Sequence, residues 1–181
     1  GTRIDLQALE AFMERRAPGR SKLATQRRET DSLEILSGLT SVADVFKDDG
    51  DRYVRTCGAP LTIIIRNSDV RSQDYEEMKK IPRPSHSDFT AFSKYGKWHD
   101  VNGAGHFSGR LTAPLCVAGG IALQLLDSMG IQAAAYICAV GSVNGRRVDP
   151  LNPDIEALFA LSYASFPALE GKEADAMVAE I

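Results

Sequence analysis

The sequence predicts a mixed fold in which strands alternate with helices, α/β or α+β. Three stretches carry that reading. DLQALEAFMERR, residues 5–16, sets Leu6, Leu9, Phe12 and Met13 at helical spacing. APLTIIIR, 59–66, is a β-branched run with turn residues before it, which reads as a buried strand. The apolar run over roughly 111–129, followed by Gly130 as the C′ stop, reads as a core helix.

The other elements follow in chain order. Asp5 is the expected N-cap of the first helix, Arg15 and Arg16 suit its C-terminus, and Pro18-Gly19 stop it. LEIL, 33–36, makes a short strand. DVFKDDGDRYVR, 44–55, is charged and reads as an exposed excursion. Residues 72–80 suit a short helix. Residues 82–110 are rich in Gly, Pro, Ser, Asn and His without clean periodicity, and are expected to be a long functional loop. IQAAAYICAV, 131–140, reads as another buried strand. Residues 153–162 and 170–181 read as two amphipathic surface helices. With 181 residues, 44% of them hydrophobic, the chain suits a single domain with a sizeable core.

The net charge of −3 gives no general attraction to nucleic acid or acidic membranes. Neither is expected as a partner, and any anion site must come from local clustering. Cys57, Cys116 and Cys138 form no CxxC pair. Cys116 and Cys138 lie in apolar runs, where buried reduced thiols in the cytosol are expected. No stretch reads as a signal peptide. Polar residues and Gly119-Gly120 interrupt the apolar run and favour a core helix over a membrane span.

Four clusters can carry chemistry. Arg15, Arg16, Arg20, Lys22, Arg27 and Arg28 put six cations into fourteen residues. They can converge on a phosphate or carboxylate, or form a solvated patch partly paired with Glu29 and Asp31. In NGAGHFSGR, 102–110, glycines allow close backbone approach, and Ser108, Arg110 and a helix start can hold an anion. The same stretch also reads as a turn capped by Ser108. In Arg83-Pro84-Ser85-His86-Ser87-Asp88, proline stiffens the backbone between a cation and an imidazole, and Asp88 can orient the ring. His86 is then a candidate general acid, or else a structural histidine. IIIRNSDVRSQDYEEMKK, 63–80, brings Arg66, Asn67 and Asp69 to a strand end, as a site wall or as a turn with a salt bridge.

All three histidines, His86, His99 and His106, lie within 83–110. Their spacings match no common zinc pattern and no metal is expected. His99, beside Trp98 and Asp100, reads as structural. No GxSxG elbow is present.

Taken together, RRAPGRSKLATQRRETDSLEILSG, CGAPLTIIIRNSDVRSQDYEEMK, RPSHSDFTAFSKYG and GAGHFSGRLTAP resemble, in order, the signature blocks of chorismate synthase over roughly residues 4–145. NPDIEAL and SFPALEGKEADAMVAEI are similar to that family's middle region. The resemblance implies an α+β fold of the β-α-β sandwich type and a homotetramer in the cytoplasm. It implies 1,4-anti elimination of phosphate from 5-enolpyruvylshikimate 3-phosphate to chorismate, the last step of the shikimate pathway. The reaction requires reduced FMN without net redox change, and some members reduce the flavin with NADPH.

Roles follow by resemblance, residue by residue. Arg16 and Lys22 match a basic pair associated with the anionic substrate or NADP, with Lys22 in place of the usual Arg. Arg83 and His86 match the RPxH block, the arginine contacting substrate and the histidine donating a proton to the reduced flavin. Ser85 stands where glycine is usual. His106, Phe107 and Ser108 match the flavin-binding stretch, usually Arg-Ser-Ser, and Arg110 matches the following anion contact. Residues 40–55 carry an insertion relative to the family pattern. A Gly-Glu-Ser-His-Gly block and a later Arg-His-Asp block are not found. The chain is therefore expected to be a piece of a longer protein and to be inactive or severely impaired alone. An idle scaffold of the same fold is the alternative. A nucleic-acid module built on residues 15–28 is disfavoured, because no aromatics interleave with the cations.

Overall fold

Leu6, Leu9 and Met13 fall on one face of α1 (Leu6–Arg16) and are buried. The Asp5 carboxylate accepts from the Ala8 N–H at 2.8 Å, satisfying one of the orphan donors of the first turn. The helix ends at Ala17, as the Pro18-Gly19 signal predicts. The computed structural model describes residues 1–19, 23, 30–40, 47–48, 51–67, 81–169 and 171–181. Their contacts divide the chain into two units, residues 1–18 with 27–122, and residues 19–26 with 123–181.

In the first unit β1 (Arg3–Asp5) runs directly into α1. It pairs antiparallel with β4 (Asp51–Arg55), which pairs in turn with β3 (Lys47–Asp48). This corrects the reading of 44–55 as an exposed excursion. Val54 lies opposite Ile4, and both are buried with Leu6. The charges around Val54 conceal one inward position, which a strand 50 residues away in sequence covers. Residues 44–46 and 49–50 lie outside the described residues, as does the helix expected over 72–80.

A second antiparallel pair joins β2 (Leu33–Ser37) to β5 (Thr62–Ile65), with Glu34 opposite Ile64. Both strands fall where the sequence predicts them, but β5 is half-buried rather than fully enclosed. Ile63 and Ile65 face a core of Leu9, Met13, Ala113 and Val117, and Ile64 points the other way. Gly38, at φ +92°, turns the chain out of β2. A Cβ there would lie 2.5 Å from the Leu61 Cα, so no other residue fits without movement.

Residues 82–110, expected to be one long loop, contain α2 (Asp88–Tyr95) and 3₁₀ turns at Gly96–Trp98, Asn102–Phe107 and Gly109–Leu111. The helix was hidden because Ala91 is its one buried residue, while the aromatics Phe89 and Phe92 are exposed. No apolar stripe therefore marks the buried face.

The 3₁₀ turn at 109–111 leads into α3 (Thr112–Ser128), as the apolar run predicts. Gly130, at φ +73°, closes it, and the Ile131 N–H returns to the Leu126 carbonyl at 2.9 Å. The expectation of a core helix needs correction. Only Ala113, Val117 and Gly120 are buried, and Leu115 is 70% exposed. By length and composition alone, Gly109–Ser128 is apolar enough to cross a membrane. Small residues let α3 approach α1 closely: a Cβ on Gly120 would sit 2.7 Å from the Leu9 Cδ1.

In the second unit the strand expected over 131–140 is reduced to β6 (Ala139–Val140), in a short hairpin with β7 (Val143–Asn144). Residues 131–138 are irregular. They meet loops instead of a strand: the Ile137 N–H donates to the Pro167 carbonyl at 2.7 Å, and the Tyr136 hydroxyl accepts from the Val148 N–H at 3.1 Å. Cys138 is exposed and Cys116 half-buried, contrary to the expectation of buried thiols; all three cysteines are free. The two C-terminal helices are present as α4 (Ile155–Ala160), which the Asp154 carboxylate caps at 3.0 Å, and α5 (Lys172–Glu180). Met177 buries α5, and a cavity of about 740 Å³ opens beside Leu161, Phe166 and Val178. The mixed α+β class is the one the sequence predicts.

Candidate active site

Arg83, His86 and Asp88 meet at the start of α2. Ser85, at φ +58°, folds the chain back so that Arg83 and His86 reach the same carboxylate. That conformation favours glycine, which is what the RPxH resemblance led us to expect at this position. The Arg83 guanidinium grips Asp88 with Nε at 2.7 Å from Oδ2 and Nη2 at 2.9 Å from Oδ1. The Arg83 backbone N–H adds a third bond at 3.0 Å. The His86 Nδ1 lies 2.6 Å from Asp88 Oδ1, and Arg83 Nη2 stands 3.3 Å from that nitrogen and 3.4 Å from Nε2.

The hydrogen bonds from Arg83 hold the Asp88 carboxyl far below the usual carboxylate range, against the opposing effect of burial; His86 pulls the same way. Asp88 is thus an anion at any physiological pH. The group contains a fixed cation, a fixed anion and a half-buried imidazole, the parts of a positioned proton carrier beside an anion contact.

Arg16 and Arg110 are brought together by a different carboxylate. Asp31 is buried, its side chain fully enclosed, and pairs with Arg16 from the end of α1. Arg110 Nη2 reaches its Oδ1 at 3.3 Å. Arg16 also donates to the Thr112 hydroxyl at 3.3 Å, and Arg110 to the Arg66 carbonyl at 3.4 Å. The anticipated pairing of part of the basic patch with Asp31 is therefore seen for Arg16. Sequence reasoning missed that Arg110, 79 residues further on, shares the same partner. Lys22, Arg20, Arg27 and Arg28 lie outside the described residues.

The stretch 106–108 presents an aromatic pair. The His106 and Phe107 rings are 4.0 Å apart at 37°, and the Tyr95 ring meets His106 edge-on at 5.9 Å. Ser108 accepts from the Arg110 N–H at 3.2 Å, so it caps the next 3₁₀ turn as one of the two sequence readings had it. His99 holds the Gly96 carbonyl through Nδ1 at 2.8 Å and meets Phe92 edge-on, as a structural histidine does. Arg66 forms a two-pronged pair with Glu34 at 2.7 and 3.1 Å across the β2–β5 sheet. Its hydrogen bonds lower the Glu34 pKa, and Glu34 raises that of Arg66. This is the salt-bridge reading of the 63–80 stretch; Asp69 lies outside the described residues. Among the described residues, no group of three or more His, Cys, Asp or Glu is placed to hold a metal ion.

The family model described as chorismate synthase matches residues 1–181. The chain belongs to the chorismate synthase family. Its relatives include the chorismate synthase of Lancefieldella parvula, 38% identical over 157 residues, which are 87% of this chain and 38% of that protein. The chorismate synthase of Sulfurovum sp. is 35% identical over 178 residues, 98% of this chain and 45% of that protein. The chorismate synthase of Korarchaeum cryptofilum is 40% identical over 141 residues, 78% of this chain and 36% of that protein. The chain thus spans between a third and a half of the length of the curated chorismate synthases it matches.

Proposed function

We propose that this chain forms part of an enzyme that converts 5-enolpyruvylshikimate 3-phosphate to chorismate by 1,4-anti elimination of phosphate, with reduced FMN as cofactor. The observation that carries the reading is the Arg83–His86–Asp88 cluster. It joins, on one carboxylate, the two residues to which the family resemblance gives substrate contact and proton donation.

The substrate carries a phosphate and two carboxylates, so a binding site for it needs clustered cations. Arg16 and Arg110 converge on the Asp31 carboxylate from distant parts of the sequence, which sets two guanidinium groups at one place. With Lys22 and Arg83 they supply the charge that binds the substrate and steadies the phosphate as it departs with its bonding electrons. His86 holds the proton that is exchanged in the site. His106, Phe107 and Ser108 would hold the flavin. An exposed, tilted aromatic pair offers apolar faces to a flat ring system, and the Ser108 hydroxyl still has its proton to donate. Bound reduced FMN would supply electron density transiently and recover it. NADPH as the reductant, a β-α-β sandwich, a homotetramer and a cytoplasmic location belong to the same reading. So does a single domain over residues 1–181 that forms the N-terminal and middle part of such a chain. Nucleic acid and membrane have no part in it. Arg16, Arg83, His86 and Arg110 are all retained, which weighs against an idle scaffold.

The test is chorismate formation under anaerobic conditions with chemically reduced FMN. Residues 1–181 are assayed alone and in place of the matching stretch of the Lancefieldella parvula enzyme. The hybrid is expected to form chorismate. The chain alone is expected to be slower by on the order of 10²–10⁴-fold for each acid or base it lacks. A folded hybrid that forms none contradicts the proposal.

A further inference from the structure

The contacts at the start of α2 go beyond placing a histidine near an arginine; they select one nitrogen of its ring. The geometry points to Asp88 as a positioning residue that takes the Nδ1–H of His86, leaving Nε2 as the nitrogen that exchanges the proton. This inference rests on the functional reading above for the purpose of that proton, and on the geometry alone for the tautomer.

Three features fix the tautomer. First, Nδ1 lies 2.6 Å from Asp88 Oδ1, the length of a charge-assisted bond. An ionised carboxylate only accepts, so the hydrogen must sit on Nδ1. Second, the carboxylate cannot turn away. Arg83 holds both of its oxygens through Nε and Nη2, and the Arg83 backbone N–H holds one again. Its position at the first turn of an eight-residue helix adds attraction from the helix N-terminus. Third, among the described residues the charged groups that face the ring are Arg83, on the turn, and Asp88, on α2. A guanidinium only donates, so of the two Asp88 is the one that can take a ring hydrogen. A histidine so held cycles between neutral and charged forms at Nε2 without reorienting, which is what a proton donor working on a fixed partner requires.

Nitrogen-15 NMR of the 181-residue chain tests this without substrate or flavin. The chain has three histidines, and His86→Gln assigns the resonances of residue 86. The expected result is a neutral His86 with the hydrogen on Nδ1. In Asp88→Asn the ring should lose its single tautomer, while His99 and His106 keep theirs. A wild-type His86 with the hydrogen on Nε2, or an Asp88→Asn chain in which His86 keeps its single tautomer, overturns the inference. If Asp88→Asn does not fold, the wild-type tautomer alone still decides. Asp88→Glu, which keeps the charge but displaces it, should weaken the Nδ1–H preference, and an unaltered preference overturns the inference. An inactive hybrid with the expected tautomer would count against the chorismate reading and leave this one standing.

Discussion

Asp31 and Asp88 do the same physical job at two places: each is a carboxylate that fixes cationic or proton-bearing side chains, Asp31 from distant parts of the sequence and Asp88 from its own turn. Asp31 is fully enclosed and answers two guanidinium groups. Its removal leaves two partly buried cations facing each other. Asp31→Ala should cost about 3–5 kcal/mol, read as a fall in urea midpoint; a loss below about 1 kcal/mol would mean that the arginines relax to water without penalty. Asp88 sets a pH dependence. Its folded pKa lies far below the value near 3.9 of an unfolded aspartate. The stabilisation is therefore complete above the unfolded value and is lost as pH falls through the folded one. The gap in urea midpoint between wild type and Asp88→Asn should be steady near pH 5 and close progressively toward about pH 2. A gap that stays constant across that range would contradict the assignment.

Elements that sequence reasoning recovered are those whose signal is local. In α1 an N-cap aspartate, helical spacing and a Pro-Gly stop all agree, and the helix ends where they say. β2, β5, α3 and the two C-terminal helices follow the same rule. The errors share a different cause. β4 is charged along most of its length and is a strand because β1 lies beside it. The run 131–140 is apolar enough for a strand, yet its Ile137 N–H goes to a loop carbonyl and its Tyr136 hydroxyl takes the Val148 N–H. α2 escaped notice because a single alanine anchors it. Partner choice at long range decides these cases, and periodicity carries none of it. The contact of α3 with α1 gives a test at this scale. A side chain at Gly120 must displace Leu9 and Phe12, whose nearest atoms lie 2.7 and 3.1 Å from where its Cβ would stand. Gly120→Val should destabilise the chain by about 1–3 kcal/mol, measured by thermal or urea unfolding. An unchanged midpoint would show that the two helices separate easily.

At the scale of the molecule, the candidate site was legible in the order of its blocks more than in any one of them. The residues singled out from the sequence fall into three groupings among the described residues: Arg83 with His86, Arg16 with Arg110, and His106 with Phe107. The sequence could suggest that Asp88 orients a ring and that Asp31 pairs with a basic neighbour. It could not show that one buried carboxylate serves both Arg16 and Arg110, since nothing in local pattern links positions so far apart. Under the proposed function, these groupings form an anion-binding site that holds one proton donor. The most direct measurement is the rate of chorismate formation by the hybrid enzyme carrying His86→Ala, compared with the unmodified hybrid and with His99→Ala. We expect a loss on the order of 10²–10⁴-fold for His86→Ala and a change of no more than a few-fold for His99→Ala. Equal rates for the unmodified and His86→Ala hybrids would remove His86 from the chemistry and overturn this reading of the site.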